Sequence, residues 1–325
     1  MRHFDYLRPT STAQAIAIEP AQRSFLAGGT SLLDLVKLDV MRPALVADIN
    51  SLPLKQIEPL ADGRLRIGAL VSNSALANHA QVRAQHPLLS QAILAGASTS
   101  LRNKASTGGN LMQRARCNYF RDNLSPCNKR VPGSGCAALQ GHNRSVHAVL
   151  GTSASCIASH PSDLCVALQA IGAEVTVQGR QGSRSIPFEA FHLLPGATPW
   201  LEHALQPDEL ITHVTLDAPL AGARAHYLKL RDRHSYQFAL ASSAVLVVLE
   251  GGRIRQARVA LGGVATKPWR AREAEQQLLG QAPSPALFER AARAAFAEAK
   301  PYAHNAYKIP LGQQAIVRSL RDALA

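Results

Sequence analysis

Along the first 60 residues the spacing of apolar positions changes twice. Ser24-Phe25-Leu26 is a short apolar strand, Ser31 to Leu38 carries helical spacing, and Ala44 to Ile49 is a second apolar run. The segment therefore predicts strand, helix, strand, a βαβ pattern. From Leu65-Arg66-Ile67-Gly68-Ala69 onward, strands alternate with helices over Ser74 to Asn78 and Pro87 to Ala95. Further on the pattern predicts a helix over Pro161 to Ile171, a strand over Ala173 to Val177 and a turn at Arg180 to Ser183.

Beyond Leu220 the order becomes strands first, at Ala225 to Leu230, Ala239 to Leu249 and Ile254 to Leu261. Helices over Arg270 to Leu279, Pro285 to Ala299 and Leu311 to Leu324 follow. Gly251-Gly252 joins two of these strands as a hairpin turn. Strands followed by helices predict a separate α+β domain, with a boundary near Leu220. One segment has neither period: Arg114 to Leu150 is rich in Arg, Asn, Pro, Gly and Cys. It exceeds the roughly 12 to 15 residues that a structureless loop normally reaches, so something must hold it.

Length and apolar content allow two domains with ordinary cores. Apolar runs such as Ala239 to Leu249 fall short of the roughly 20 residues of a membrane-spanning helix, so no membrane insertion is expected. The start Met1-Arg2-His3-Phe4-Asp5-Tyr6 lacks the features of a secretory signal. This leaves the cytoplasm, or export of the folded chain with a signal-bearing partner.

The formal charge is +13, which raises nucleic acid, an anionic surface or an acidic partner. Arg and Lys are scattered from Arg2 to Arg321 with no basic tail, and the six Tyr and eight Phe do not interleave with them as stacking platforms. No nucleic acid is expected; a docking face for other subunits or an anionic cofactor fits better.

Two glycine turns are candidates for holding an anion. Leu26-Ala27-Gly28-Gly29-Thr30-Ser31 lies between a strand and a helix, where paired glycines bring N–H groups close to a ligand. A tight strand-to-helix turn with no ligand is the alternative. Ala105-Ser106-Thr107-Gly108-Gly109-Asn110-Leu111 follows the basic Arg102-Asn103-Lys104 and offers hydroxyl, amide and glycine donors together. Neither matches G-x-G-x-x-G or the P-loop, which excludes the common dinucleotide and ATP motifs.

Five cysteines fall between 117 and 165 and none elsewhere. Cys117, Cys127, Cys136 and Cys156 are separated by 9, 8 and 19 residues, unlike zinc ribbons or the compact ferredoxin run. Four thiolates can complete a 4Fe-4S ligand set and would order a long polar loop. On spacing alone, zinc and two disulfides remain alternatives. Cys165 lies in the apolar run Asp163 to Leu168 and reads as a small buried hydrophobe. His142, His147 and His160 flank the segment as possible ligands, with His160 before Pro161 the more structural of them.

In these residues the chain resembles the FAD-binding subunits of xanthine dehydrogenase, carbon monoxide dehydrogenase and bacterial aldehyde oxidoreductases. The resemblance is carried by Ala27 to Leu32 with Lys37, by Arg102-Asn103 with Thr107 to Leu111, and by Ile67 to Ser72 between them. Ser162-Asp163-Leu164, the stretch Lys229 to Ala239, and Leu261 to Ala265 with Pro268 extend it into the second half. The insert with Cys117-Asn118-Tyr119-Phe120-Arg121, Pro126 to Arg130 and Gly133-Ser134-Gly135-Cys136 resembles that of periplasmic aldehyde oxidoreductases.

The resemblance implies an α+β chain of the vanillyl-alcohol-oxidase and CO-dehydrogenase flavoprotein type. An FAD-binding domain over 1–219 would comprise subdomains of about 1–60 and 61–219, with an iron-sulfur insert over about 114–156. A C-terminal antiparallel sheet with helices would occupy 220–325. It implies an FAD site of Leu26, Ala27, Gly28, Gly29, Thr30, Ser31, Leu32, Ser106, Thr107, Gly109, Asn110, Leu111, Ile157, Asp163 and Lys229. The Asp163 carboxylate would help hold FAD, Ser162-Asp163 being otherwise an ordinary helix start. Lys229 would tune the flavin, its alternative being an exposed strand lysine, and Tyr236 would lie over the ring or pack between domains.

The same resemblance assigns Cys117, Cys127, Cys136 and Cys156 to a 4Fe-4S cluster. It implies an oxidoreductase subunit, in a heterotrimer with a molybdenum-cofactor subunit and a 2Fe-2S subunit, passing electrons from aldehyde oxidation through FAD to an external acceptor. No catalytic residue is assigned to this chain. Its compartment would be the periplasm, reached with a signal-bearing partner. The rival readings are a stand-alone flavin oxidase of related fold and a non-redox metal protein associated with nucleic acid.

Overall fold

Parallel pairing demands a crossover, and the first sheet obtains one from the expected helix. In a computed structural model describing residues 1–325, strands β1 (Asp5–Leu7), β2 (Arg23–Leu26) and β3 (Leu45–Asp48) form a parallel sheet in the order β1-β3-β2. The helix Leu32–Lys37 connects β2 to β3, and its Leu35 and Val36 are buried. The βαβ expectation is met.

The second sheet contains β4 (Ile57–Pro59), β5 (Leu65–Gly68), β6 (Ala173–Gly179), β7 (Gly182–Pro187) and β8 (Leu210–Leu216) in the order β4-β5-β8-β6-β7. All its pairings are antiparallel. The middle strand β8, Leu-Ile-Thr-His-Val-Thr-Leu, is buried at six of its seven positions. A strand covered on both faces loses the apolar–polar alternation that marks a half-exposed one, so the sequence pattern did not announce it.

Val175, Val177, Val214 and Leu216 of this sheet share one core with Leu88, Leu89 and Ile93 of the helix Pro87–Ala95 and with Leu164 and Leu168 of the helix Asp163–Ile171. Every residue of Asp163–Ile171 is buried, because the third sheet closes its other side: Ala244 and Ala260 belong to the same core.

That third sheet is antiparallel, with β9 (Arg224–Leu230), β10 (Ala241–Glu250), β11 (Arg253–Gly262) and β12 (Trp269–Arg270) in the order β12-β11-β10-β9. Gly251 and Gly252 turn β10 into β11 with φ of 56° and 76°, the positive pair that favours glycine in a two-residue hairpin. The helices Arg272–Leu278, Pro285–Ala295 and Lys308–Leu324 cover the sheet through Leu278, Leu287, Phe288, Ile316 and Leu320.

The long irregular segment contains one short helix, Asn118–Arg121, and isolated bridges that include Cys127 with Cys136 and Ser153 with Cys156. Its own small core unites Cys117, Phe120, Cys127, Ala138, Cys156 and Ile157 with Leu35 of the first crossover helix. Asp34 of that helix accepts from both Arg116 and Arg121. The buried Lys308 donates to the carbonyls of Ser145 and Gly263, fastening the segment to the C-terminal part.

Candidate functional site

The two glycine turns face each other across a cleft of about 980 Å³, at the upper end of the range for ligand sites. Ala27, Gly28, Gly29, Thr30, Ser31 and Leu32 line it from one side; Ser106, Gly108, Gly109 and Asn110 line it from the other, with Asp163 at the wall. A Cβ on Gly28 would stand 1.9 Å from the carbonyl oxygen of Lys104. The turns therefore approach so closely that only glycine fits. Gly29 has φ +74°, the left-handed conformation that a side chain disfavours.

The two turns differ in what they offer. The N–H groups of Gly28, Gly29, Thr30 and Ser31 donate to no acceptor within the chain. In the second turn the N–H groups of Thr107, Gly108 and Asn110 donate to the carbonyls of Val71, Ala69 and Ser106, and that of Gly109 to the Ser106 hydroxyl. Residues Thr107–Leu111 form a short helix here. The expectation that both turns present free backbone donors is thus corrected: the first does, and the second contributes surface and side chains.

Several expected residues stand behind the lining. Leu26 is within β2; Thr107 is buried and its hydroxyl donates to the Val71 carbonyl at 3.0 Å; Leu111 is wholly buried. Ile157 belongs to the core of the cysteine segment. Lys229 is not the exposed strand lysine of the alternative reading. Its side chain is 3% exposed, and its ammonium lies 2.8 Å from Asp163 Oδ2 and 3.2 Å from the Ala95 carbonyl. Asp163 also accepts from the Tyr227 hydroxyl at 2.6 Å. Burial first, then the neighbouring Asp163 charge, holds the Tyr227 phenol well above its ordinary range, so it stays protonated.

The cleft recruits residues that the sequence did not single out. Asn73 is 4% exposed and its Oδ1 has no partner, and the Nε of Arg116 is likewise buried and unpartnered; both side chains line the cleft. Buried polar atoms are normally bonded, so two orphaned ones at one cleft mark groups prepared for a polar ligand. Arg116 could be suspected from the basic run that opens the cysteine segment; Asn73, inside an ordinary helix start, carried no signal. Tyr236 lines the cleft mouth at 58% exposure with φ +56°, and Phe238 beside it stacks on the Arg116 guanidinium at 4.9 Å.

The four cysteines Cys117, Cys127, Cys136 and Cys156 line a second, smaller pocket together with Phe120, Pro126, Ala138 and Ala158. All four thiols are free, which removes the two-disulfide alternative. Burial pushes the Cys117 thiol up to about 12 and raises Cys136 and Cys156 as well. Opposing that burial, backbone N–H groups point at the sulfurs: Tyr119 and Phe120 at Cys117; Ala138, Leu139 and Ile157 at Cys136; Ala158 at Cys156. Such a donor ring suits sulfur that carries negative charge.

A side chain joins it: His147 Nε2 lies 3.2 Å from Cys117 Sγ. Cys165 is apart from this pocket and fully buried, as expected of a small hydrophobe. His160 lies near Cys165 and His192, but its Nδ1 accepts from the Ser162 N–H at 3.4 Å. The proton is then on Nε2, which leaves no lone pair there for a metal. His142 packs against His304.

Arg114, Lys129 and Glu202 join the cleft to the cysteine pocket. Glu202 accepts from Arg114 Nε at 2.5 Å and from Lys129 Nζ at 2.9 Å. Burial opposes its ionisation, but Lys129 and Arg114 together outweigh burial and hold the carboxyl below its ordinary value.

Comparison with known proteins covers the whole chain. Residues 2–219 match the family described as the FAD binding domain in molybdopterin dehydrogenase, and residues 226–323 match the CO dehydrogenase flavoprotein C-terminal domain. The aldehyde oxidoreductase FAD-binding subunit PaoB of Escherichia coli (strain K12) is 48% identical over 330 residues, covering 100% of this chain and 99% of that protein. The carbon monoxide dehydrogenase medium chain of Hydrogenophaga pseudoflava is 26% identical, over 99% of this chain and 97% of its own. A solved structure of carbon monoxide dehydrogenase from Hydrogenophaga pseudoflava superposes with a TM-score of 0.78 at 27% identity, covering 99% of this chain and 98% of its chain.

Proposed function

Because the chain belongs to the family of FAD-binding domains of molybdopterin dehydrogenases, we propose that it is the FAD-binding electron-transfer subunit of a molybdenum hydroxylase that oxidises aldehydes to carboxylic acids. The observation that carries this is the cleft. Its first turn keeps four N–H groups unsatisfied, and Asn73 and Arg116, each with an unpartnered buried polar atom, line it. Whole-length identity of 48% to an aldehyde oxidoreductase FAD-binding subunit supports the aldehyde substrate.

Bound FAD would supply the redox chemistry of a relay between partner 2Fe-2S centres and an external acceptor. The chain's own residues bind and orient. The Gly28 to Ser31 backbone serves the anionic diphosphate, the second turn and Asp163 fix the opposite side, and Lys229 acts by holding Asp163 in place. Tyr236 and Phe238 limit access at the mouth. The substrate site and molybdenum cofactor belong to a partner, so no substrate pocket is assigned here.

The cysteine segment is the finer part of the proposal. Cys117, Cys127, Cys136 and Cys156 would hold a 4Fe-4S cluster, supported by four free thiols on one pocket and by the N–H groups directed at them. The likeness of this insert to those of periplasmic aldehyde oxidoreductases supports export in company with a signal-bearing subunit.

An absorbance spectrum with flavin and iron quantified, on the chain co-purified with its neighbouring subunits, tests both parts. One flavin and four irons per chain beyond those of the 2Fe-2S subunit are expected. Absence of flavin would refute the subunit assignment; flavin without the extra iron would refute the cluster alone. Loss of the extra iron in Cys127→Ser, with flavin retained, is the corresponding ligand test.

A further inference from the structure

His147 is wholly enclosed, 1% exposed, and both its ring nitrogens are engaged. Nδ1 accepts from the backbone N–H of Arg144 at 3.1 Å. A neutral imidazole with an accepting Nδ1 carries its proton on Nε2. That Nε2 is the atom 3.2 Å from Cys117 Sγ, so the sulfur receives a donor. Among the four cysteines of the pocket, this is the one hydrogen bond that a side chain makes with a sulfur.

The ring's position is fixed from three sides. Its residue bridges to Ala158, two places beyond Cys156, and the following Ala148 N–H donates to the Ile157 carbonyl at 2.7 Å. Tyr119, two places after Cys117, stands beside it with ring centroids 6.4 Å apart. The imidazole is thus anchored to the chain on both sides of the pocket, and its N–H is directed by backbone rather than by a mobile side chain.

We propose that His147 is a positioning residue that sets the reduction potential of the cysteine centre through its N–H bond to Cys117, an inference that rests on the 4Fe-4S reading above. A thiolate bound to iron becomes more electron-rich when the cluster takes up an electron. A fixed N–H donor stabilises that reduced state more than the oxidised one, so it raises the potential. Electron flow between the centre and neighbouring groups then depends on a residue that is neither a ligand nor in contact with the flavin cleft.

The test uses the intact complex, with iron and acid-labile sulfide determined first, followed by a redox titration monitored by electron paramagnetic resonance. His147→Phe keeps a buried ring and removes the donor. The one-electron reduction constant should fall roughly tenfold, about 59 mV to lower potential. His147→Gln retains an N–H and should return most of that loss. An unchanged potential in a loaded His147→Phe complex overturns the proposal. Wild-type complex without the extra iron refutes the cluster reading instead, which the iron analysis reports separately. If His147→Phe fails to assemble, wild-type complex labelled with 15N-histidine decides the matter: pulsed resonance should detect one coupled imidazole nitrogen, and its absence in a loaded sample overturns the proposal.

Discussion

The ammonium of Lys229 lies 2.8 Å from the Asp163 carboxylate, joining β9 to the first turn of the helix Asp163–Ile171 at the wall of the cleft. Both side chains are nearly closed to solvent, at 3% and 9% exposure. Removing one partner strands the other as a buried charge, a loss of about 3–5 kcal/mol. Lys229→Met should therefore lower stability by about that amount and reduce flavin retention. Adding Asp163→Asn should restore much of the stability without restoring flavin. Denaturant unfolding and flavin-to-protein ratios on the single and double variants measure the two effects; an undiminished flavin content in Lys229→Met would refute the coupling.

This pair also shows what the chain could and could not reveal. The helix Pro87–Ala95 was legible from its helical spacing, and the hairpin β10–β11 from a long apolar run closed by the Gly251-Gly252 turn. Strand β8 was not, since burial on both faces erases alternation. Gly28 and Gly29 were legible as a turn, because close approach and positive φ demand glycine. The satisfied N–H groups of Thr107 and Gly108 were hidden, because their acceptors on Val71 and Ala69 come from a distant part of the chain. Clustered cysteines marked the segment as one brought together by the fold, but the donor from His147, thirty residues from Cys117, exists only in the folded chain.

Gly28 is the place where the two turns touch. With a Cβ only 1.9 Å from the Lys104 oxygen, Gly28→Ala must push backbone against backbone, since no flexible side chain can yield. Overpacking of this kind costs about 1–3 kcal/mol. The displacement falls on the turn that presents its N–H groups to the cleft, so flavin affinity should drop more than stability does. Calorimetric titration of flavin-stripped protein with FAD checks this, and wild-type affinity in the variant would contradict the assigned site.

Glu202 binds the cysteine segment to the body of the chain through Arg114 and Lys129. Glu202→Gln keeps the shape and leaves two largely buried cations without their counter-charge. A loss of about 3 kcal/mol is expected, concentrated in residues 114–156. Amide hydrogen exchange should then quicken there and remain unchanged in β10 and β11. Uniform acceleration over the whole chain would refute the role of a local clasp.

The acid side of the stability profile should bear the mark of His192 and His203. Burial is the leading cause in both, pushing His192 down to about 3 and His203 to about 4. Their ordinary value when unfolded is about 6.5. Between that value and the folded ones the unfolded chain binds protons that the native chain refuses, so native stability falls as pH falls. The stabilisation is fully present above about pH 6.5 and declines toward pH 4, by roughly 1.4 kcal/mol per pH unit for each group; the partial exposure of His203 makes its share the smaller. His192 packs edge-on to Phe188 and Phe191, so His192→Phe replaces it with a ring of similar bulk that cannot titrate. The variant loses the bond from Nε2 to the Leu111 carbonyl and should be less stable at pH 7. Its stability should nevertheless decline less steeply than that of wild type between pH 6.5 and 5. Parallel slopes in denaturant unfolding across that interval would show that His192 is protonated in the native chain and refute the assignment.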